Sequence, residues 1–188
     1  MLLRAQAAFP LAQAVRAPTG APLGEVFSFL SGLYFRGKAR YATTFARPPR
    51  GAAGALVITS CEGLVPLDAR VDAARLRAFA GVSIDASERR YLEPLLRAAL
   101  ELDARCGPRC RVVLLGSIAT GKYVEPLSAV FGERLLFPSD FVGRGDMSRG
   151  GLLLRSADAG VELPYAPIVG AVRHGARPAR LPSRRWRA

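Results

Sequence analysis

The sequence has few of the residues that bind metals or form disulfides. It contains three cysteines and one histidine, His174. An odd number of cysteines does not fit a disulfide-stabilised secreted domain and favours a reducing, cytoplasmic setting. Cys106 and Cys110 flank a Gly-Pro turn, but no second pair of cysteines or histidines stands at zinc-site spacing. We therefore expect neither a metal nor another cofactor.

Long apolar segments are also absent from the sequence. Residues 1–15, MLLRAQAAFPLAQAV, carry an early arginine, and Gln6, Pro10 and Gln13 interrupt their apolar run. Such a segment is a poor signal peptide and is too short to cross a bilayer. No other stretch approaches the ~20 apolar residues of a transmembrane helix. The sequence thus predicts no membrane partner.

Acidic residues are in the minority, 15 against 27 basic ones, and the formal net charge is +12. Only Lys38 and Lys122 are lysines, so the basic residues are almost all arginines. A basic surplus of this size favours polyanionic partners, and we expect nucleic acid or a nucleotide.

The length of 188 residues and the 50% hydrophobic content fit one domain with a sizeable core. Residues 1–24 are rich in alanine and proline, and we interpret them as a loosely ordered segment. Residues 25–172 are predicted to form a single α/β domain. Residues 173–188 hold six arginines and no acid and lack hydrophobic periodicity, which predicts a disordered basic tail that packs on nothing.

Hydrophobic spacing separates predicted helices from predicted strands. Helices are predicted at 25–46 (in two pieces around Gly32), just after Asp72, at 87–105 and at 121–130. Strands are predicted at 55–60 (as a buried parallel strand), 111–116 and 134–138, with a hairpin at 150–165 and a further edge strand within 161–169. Strands that alternate with helices predict an α/β three-layer sandwich with a central, mainly parallel sheet.

One motif suggests a phosphate-binding loop. Residues 116–122 have the spacing G-x-x-x-x-G-K directly after an apolar strand, where backbone N–H groups and a lysine can hold phosphates. The next residue should be a serine or threonine that holds magnesium, but it is Tyr123. A glycine-bounded turn with an exposed lysine explains this motif better than a phosphate-binding loop. An ATP-dependent enzyme that uses Lys122 is therefore the weakest of three functional hypotheses.

The same segment resembles the C-terminal half of the uracil-DNA glycosylase superfamily. In that family an apolar strand leads into a Leu-Gly turn, and a second strand ends in a His-Pro-Ser loop that grips DNA; the matching positions are 112–119 and 137–139. Residues 143–149 would occupy the intercalation region. Phe137 stands where the family has a catalytic histidine, and the water-activating Asp or Asn of the family has no counterpart closer than residues 60–63.

A second resemblance covers more of the chain. LSGLYFRGKARYA (30–42), ALVITSCEGLVPLD (55–68) and the turn at 116–121 resemble small bacterial domains of unknown function. Those domains are similar to the peroxide-stress-response family and to a central domain of archaeosine-type tRNA-modifying enzymes. The opening Cys-Ser strand of that group is absent here. Both resemblances imply a glycosylase-like three-layer fold with a pocket at the strand ends.

A nucleobase pocket would take a base out of the stack, read its edge, and hold the flanking phosphates. Because loops at the carboxyl ends of parallel strands share one edge of a sheet, we expect Glu62, Lys122, Ser139 and Asp140 to converge. The candidate residues are Tyr34, Phe35 or Phe137 for stacking; Glu62, Ser139 or Asp140 for edge contacts; Arg36, Lys38, Arg144 and Arg149 for phosphates; and Lys122 as a further substrate contact.

These residues lead to two main functional hypotheses. The first is a nucleobase- or nucleic-acid-binding protein that acts at an N-glycosidic bond, where Glu62 or Asp140 stabilises cationic sugar character or positions water. The alternative is a non-enzymatic nucleic-acid-binding module, which the missing histidine favours. The tail arginines, with Trp186 as a stacking ring, would add phosphate contacts in either case. The sequence does not decide whether the protein is an enzyme.

Overall fold

The structure is a computed structural model that describes residues 1–181. The predicted tail residues 182–188 lie outside the described residues. Residues 1–181 form a mixed α/β fold with six α-helices and three small sheets. Within this range no helix combines the length and the apolar character needed to span a membrane.

The strands are short and their pairing is mainly antiparallel. They are β1 (Ala21–Pro22), β2 (Leu56–Ile58), β3 (Leu64–Pro66), β4 (Arg70–Val71), β5 (Val112–Val113), β6 (Leu135–Pro138) and β7 (Tyr165–Pro167). β1 pairs with β4, β2 with β3, and β6 with β7, all antiparallel; in residues 1–181 only β5 and β6 pair in parallel. The structure therefore differs from the predicted mainly parallel central sheet, while the predicted edge strand is present as β7.

A tight turn explains why β2 is not the parallel strand that its apolar residues suggested. Gly63 has φ 69°, and Thr59 N–H donates to its carbonyl oxygen over 2.9 Å, so the chain reverses directly into β3. A parallel partner would need a crossover connection of a dozen or more residues. The hairpin also packs closely on the helix of residues 89–106, because a Cβ at Gly63 would lie within 2.9 Å of the Ala98 Cβ.

Four of the six helices were predicted to within a few residues. The helices are α1 (Pro10–Arg16), α2 (Leu23–Phe45), α3 (Ala73–Ala80), α4 (Arg89–Cys106), α5 (Gly121–Phe131) and α6 (Asp146–Ala159). The break in α2 is confirmed at Gly32, where φ is 63°. Asp72 begins α3 by accepting a hydrogen bond from the Arg75 N–H over 2.9 Å, as expected of an N-cap.

The predicted hairpin at 150–165 is wrong, because α6 occupies most of it. Its leucine run suggested a strand, but Gly150, Leu153 and Ala157 recur at helical spacing and are buried. Gly160, with φ 66°, ends the helix in the left-handed conformation instead of forming a hairpin turn.

Both ends of the described chain pack on the rest of the molecule. Residues 1–24 contain α1 and β1, and Leu2, Val15 and Leu23 are buried in one core cluster, so this segment differs from the predicted loose one. Residues 173–181 have no helix or strand, yet Gly175 lies against Val142 and Leu181 lies against Gly151. Residues 173–181 therefore pack on the domain, although the sequence predicted a tail that packs on nothing.

The core consists of two clusters that α2 connects. Phe35 belongs to the cluster formed by the N-terminal segment, β1–β4 and α3. Tyr41, further along α2, belongs to the cluster formed by β5, β6, β7 and helices α4–α6. The contact between α2 and α6 requires glycine, since a Cβ at Gly37 would lie 2.6 Å from the Gly150 carbonyl oxygen. This contact places Tyr34 and Lys38 beside the start of α6.

Candidate anion-binding cleft

The first predicted site residues, Tyr34 and Lys38, contact each other and the loop after β5. The Tyr34 hydroxyl donates to the Leu115 carbonyl over 2.8 Å, and burial raises the pKa of Tyr34 to about 12. The Lys38 ammonium lies 4.5 Å from the centre of the Tyr34 ring, and burial lowers the pKa of Lys38. The Tyr34 hydroxyl is thus hydrogen-bonded within the protein, and the Lys38 ammonium lies over the Tyr34 ring. These contacts argue against Tyr34 as a residue on which a base stacks.

Arg149 is a buried structural cation. Its side chain is 8% exposed, and its Nε and Nη2 donate to the Phe141 carbonyl over 3.3 and 3.1 Å. Its guanidinium also lies 5.4 Å from the centre of the Phe141 ring, and Nη1 lies 3.9 Å from Asp146 Oδ1. These contacts fix the loop that follows β6. Because these contacts use the guanidinium within the protein, they do not fit the predicted role of Arg149 as a phosphate contact.

The residues around the end of β6 have separate roles. Phe137 is 1% exposed and packs in the core, so its ring is not accessible to a base as the sequence had suggested. Ser139 is tied back to the chain before β7, since its backbone N–H donates to the Pro164 carbonyl over 3.0 Å. The Asp140 side chain is exposed, and its backbone carbonyl accepts a hydrogen bond from Arg144 Nε over 3.0 Å.

Glu62 lies in a different environment from Asp140. It forms an ion pair with Arg75 of α3, whose Nε donates to Glu62 Oε1 over 3.1 Å. No hydrogen bond or ion pair among residues 1–181 joins Glu62 to Lys122, Ser139 or Asp140. Polar contacts therefore do not join Glu62 to the other three residues that we expected to converge on one cleft.

The loop before α5 does not favour phosphate. The Lys122 ammonium lies 5.2 Å from the Tyr123 ring centre, and the Lys122 carbonyl accepts from the Tyr91 hydroxyl over 2.9 Å. The Glu125 carboxylate folds back onto Gly121, in the first turn of α5. A phosphate held by this turn would meet that negative charge, which weighs against the Walker-loop hypothesis.

A cleft of about 340 Å³ lies between α6 and the C-terminal segment, and we name it the arginine cleft. It combines four arginines with apolar and small residues, and no acidic side chain is among the described residues that line it. The lining residues are Leu33, Arg144, Gly145, Met147, Ser148, Gly151, Arg155, Arg177, Pro178, Ala179, Arg180 and Leu181. The cleft thus brings four arginines around one concave surface.

Local contacts bring the C-terminal segment to this position. Gly143 has φ 72° and lies directly against the backbone of Ala176, where a side chain would collide. Arg144 donates to Ser148 Oγ over 3.2 Å and reaches the Ala179 carbonyl at 3.5 Å. Arg144 therefore connects the start of α6 with the C-terminal segment.

Three of the four arginines in the arginine cleft have no acidic partner among residues 1–181. Within residues 1–181, no ion pair involves Arg144, Arg177 or Arg180. Several like charges around one concave surface raise the local concentration of anions. The cleft is therefore suited to bind an anion.

Arg36 lies at another surface. It lines a groove of about 680 Å³ between α2 and the β2–β3 region, together with Glu25 and Asp68. The two carboxylates outnumber the single cation in this groove, so it does not favour a phosphate.

Of the predicted site residues, only Arg144 lines the arginine cleft. Arg177 and Arg180 had been assigned to a free tail, and Arg155 had not been singled out. The useful signal in the sequence was a C-terminal segment with arginines and no acid. What the sequence did not indicate was that this segment packs against α6.

In residues 1–181, no cluster of three or more His, Cys, Asp or Glu side chains is arranged to hold a metal ion. The two family resemblances find no counterpart in wider comparison: no protein-family model, no curated protein and no solved structure matches the chain.

Proposed function

We propose that the protein binds single-stranded nucleic acid through the arginine cleft, with Arg144, Arg177 and Arg180 contacting phosphates. The observation that carries this proposal is that Arg144, Arg177 and Arg180 form no ion pair within residues 1–181 and line a cleft whose described residues include no acid. The net charge of +12 adds long-range attraction for any polyanion.

The size and lining of the cleft favour a single strand over a duplex. Its volume of about 340 Å³ is at the small end of ligand sites and is close to that needed for one nucleotide unit. Leu33, Met147 and Leu181 add apolar surface beside the arginines, and Met147 is 67% exposed. Unpaired bases can use such surface, whereas the bases of a duplex are stacked inside it.

The test compares two triple variants that remove the same charge. The cleft variant carries Arg144→Ala, Arg177→Ala and Arg180→Ala. The control carries Arg50→Ala, Arg97→Ala and Arg105→Ala, at exposed arginines outside the cleft. Binding of a fluorescein-labelled single strand of mixed sequence is measured by anisotropy across a salt series, with unlabelled duplex as competitor.

We expect the cleft variant to bind at least about tenfold more weakly, because each lost phosphate contact removes a counterion-release contribution. The slope of log affinity against log salt should fall by about 2, at roughly 0.7 per phosphate on a single strand. The control should change affinity by less than about threefold. Equal losses in both variants would show that binding depends on net charge alone and would contradict the proposal.

Catalysis at an N-glycosidic bond stays a prediction, as does the glycosylase-like fold. The parallel pair β5–β6 supports that fold, whereas the antiparallel pairs β1–β4, β2–β3 and β6–β7 do not. The separation of the Glu62–Arg75 ion pair from the exposed Asp140 side chain gives no support to catalysis. The non-enzymatic binding module is thus the hypothesis that the geometry favours.

A further inference from the structure

Two thiols lie side by side where α4 ends. Cys106 is the last residue of α4, and Gly107, with φ 73°, stops the helix. Cys110 closes the following turn by donating its backbone N–H to the Gly107 carbonyl over 3.2 Å. Both cysteines are free and half-buried, and Cys110 lies close enough to Cys106 to raise the pKa of the Cys106 thiol. The Cys110 thiol lies 3.8 Å from the Arg111 carbonyl oxygen, to which it donates.

One arginine holds both sides of this pair in place. Arg134, just before β6, forms an ion pair with Asp103 in the last turn of α4, with Nη2 2.7 Å from Oδ1. The same guanidinium donates to the Gly107 carbonyl over 3.3 Å. Arg134 therefore links the last turn of α4, which carries Cys106, to the Gly107 turn that leads to Cys110.

We propose that Cys106 and Cys110 form a thiol–disulfide exchange site that accepts low-molecular-weight disulfides. The Cys110 thiolate attacks one sulfur of the small disulfide, a mixed disulfide forms, and the first small thiolate leaves and takes up a proton. The Cys106 sulfur then attacks the Cys110 sulfur and releases the second small thiol. The two cysteines lose two electrons and two protons, and the small disulfide is reduced to two thiols.

The surroundings assign the first attack to Cys110. Burial raises the pKa of Cys106, and contacts with Cys110 and Asp103 raise it further, so little Cys106 thiolate exists at neutral pH. Cys110 stands between the exposed Arg109 and Arg111, whose positive charges attract an anionic disulfide such as oxidised glutathione.

The test uses the full chain with Cys61→Ser, treated with oxidised glutathione, and measures intact mass. We expect a protein that has lost two hydrogen atoms and carries no glutathione. Adding Cys106→Ser should trap one glutathione on Cys110. Adding Cys110→Ser instead should give an adduct on Cys106 at least about tenfold more slowly.

A second measurement uses the unaltered sequence, so it does not depend on how the variants fold. Trypsin cleaves after Arg105, Arg109 and Arg111, which separates Cys106 and Cys110 into two peptides. After treatment with oxidised glutathione these peptides should remain joined until a reductant is added. Separate peptides that each carry glutathione, or equal adduct rates in the two single-cysteine variants, would overturn the proposal.

Discussion

The two sides of α6 differ in burial: one side packs in the protein interior, and the other lines the arginine cleft. On the side that faces α2 and Phe141, Arg149 is buried and directs two of its N–H groups to one carbonyl oxygen. On the side that faces the arginine cleft, Met147 is exposed and Gly151 is open to the C-terminal segment. A buried cation must be satisfied by the protein, whereas an exposed cation without an ion pair can bind a ligand. Burial, and not residue type, therefore separates the structural Arg149 from the cleft arginines that remain accessible to a ligand.

The largest expected effect comes from two adjacent glycines that lie on these different sides. A Cβ at Gly150 would lie 2.7 Å from the Tyr34 Cα, in the backbone of α2. A Cβ at Gly151 would meet nothing closer than Leu181 Cδ1 at 3.6 Å. We expect Gly150→Ala to lower the free energy of unfolding by about 3 kcal/mol through overpacking. Gly151→Ala should raise it by up to about 1 kcal/mol, because alanine favours a helix.

Urea unfolding followed by circular dichroism measures both changes. Similar midpoints for the two variants would show that α2 and α6 do not pack as closely as Gly150 indicates, and the distinction between the two sides would fail.

The second prediction separates two arginines that the sequence grouped together. Arg149→Met removes both donors to the Phe141 carbonyl, and we expect unfolding to become easier by about 2 kcal/mol. Single-strand binding by the folded variant should stay within about twofold of wild type. Arg144→Met should instead weaken binding several-fold, since Arg144 lines the arginine cleft. Measuring stability and affinity for both variants checks the assignment, and a binding loss with Arg149→Met would contradict it.

Local sequence patterns predicted the elements that depend on local order. The amphipathic stripe of α4 and the Asp72 cap of α3 are encoded within a few residues, and both are present. The helix α6 was missed because three consecutive leucines hid its periodicity. The antiparallel pairing of β2 depends on the positive φ of Gly63. Glycine permits a positive φ but does not require one, so the sequence did not show that the chain turns back at this position.

The candidate site was harder to predict because its walls are distant in sequence. Arg144 was identified, but the arginine cleft exists only because residues 175–181 cross α6. That packing depends on the backbone contact between Gly143 and Ala176, and the hydrophobic periodicity of the sequence does not indicate such a contact. The burial of Arg149 depends in the same way on the position of the Phe141 carbonyl.

The third prediction tests the inner side of α6 through Tyr34. Burial raises the pKa of its hydroxyl from 10.0 to about 12 in the folded protein. Between these values the unfolded chain loses the proton while the folded protein keeps it, so stability falls as pH rises through that window. We expect Tyr34→Phe to reduce this alkaline decrease in the free energy of unfolding by roughly 1–2 kcal/mol. Urea titrations at several pH values between 9 and 11.5 check the slope, and an unchanged slope would contradict the burial of this hydroxyl.

The smallest expected effect concerns Arg180 on the outer side. This exposed side chain forms no ion pair within residues 1–181 and shares the arginine cleft with three other arginines. Arg180→Ala should therefore change the free energy of unfolding by less than about 0.5 kcal/mol. The sign should be stabilising at low salt, because one repelling charge is removed, and the difference should vanish near 1 M salt, where charges are screened beyond about 3 Å. Thermal unfolding of both proteins at the two salt concentrations measures this difference. A destabilised variant at either concentration would mean that Arg180 ties the C-terminal segment to α6, and the cleft would then have one cation fewer for its ligand.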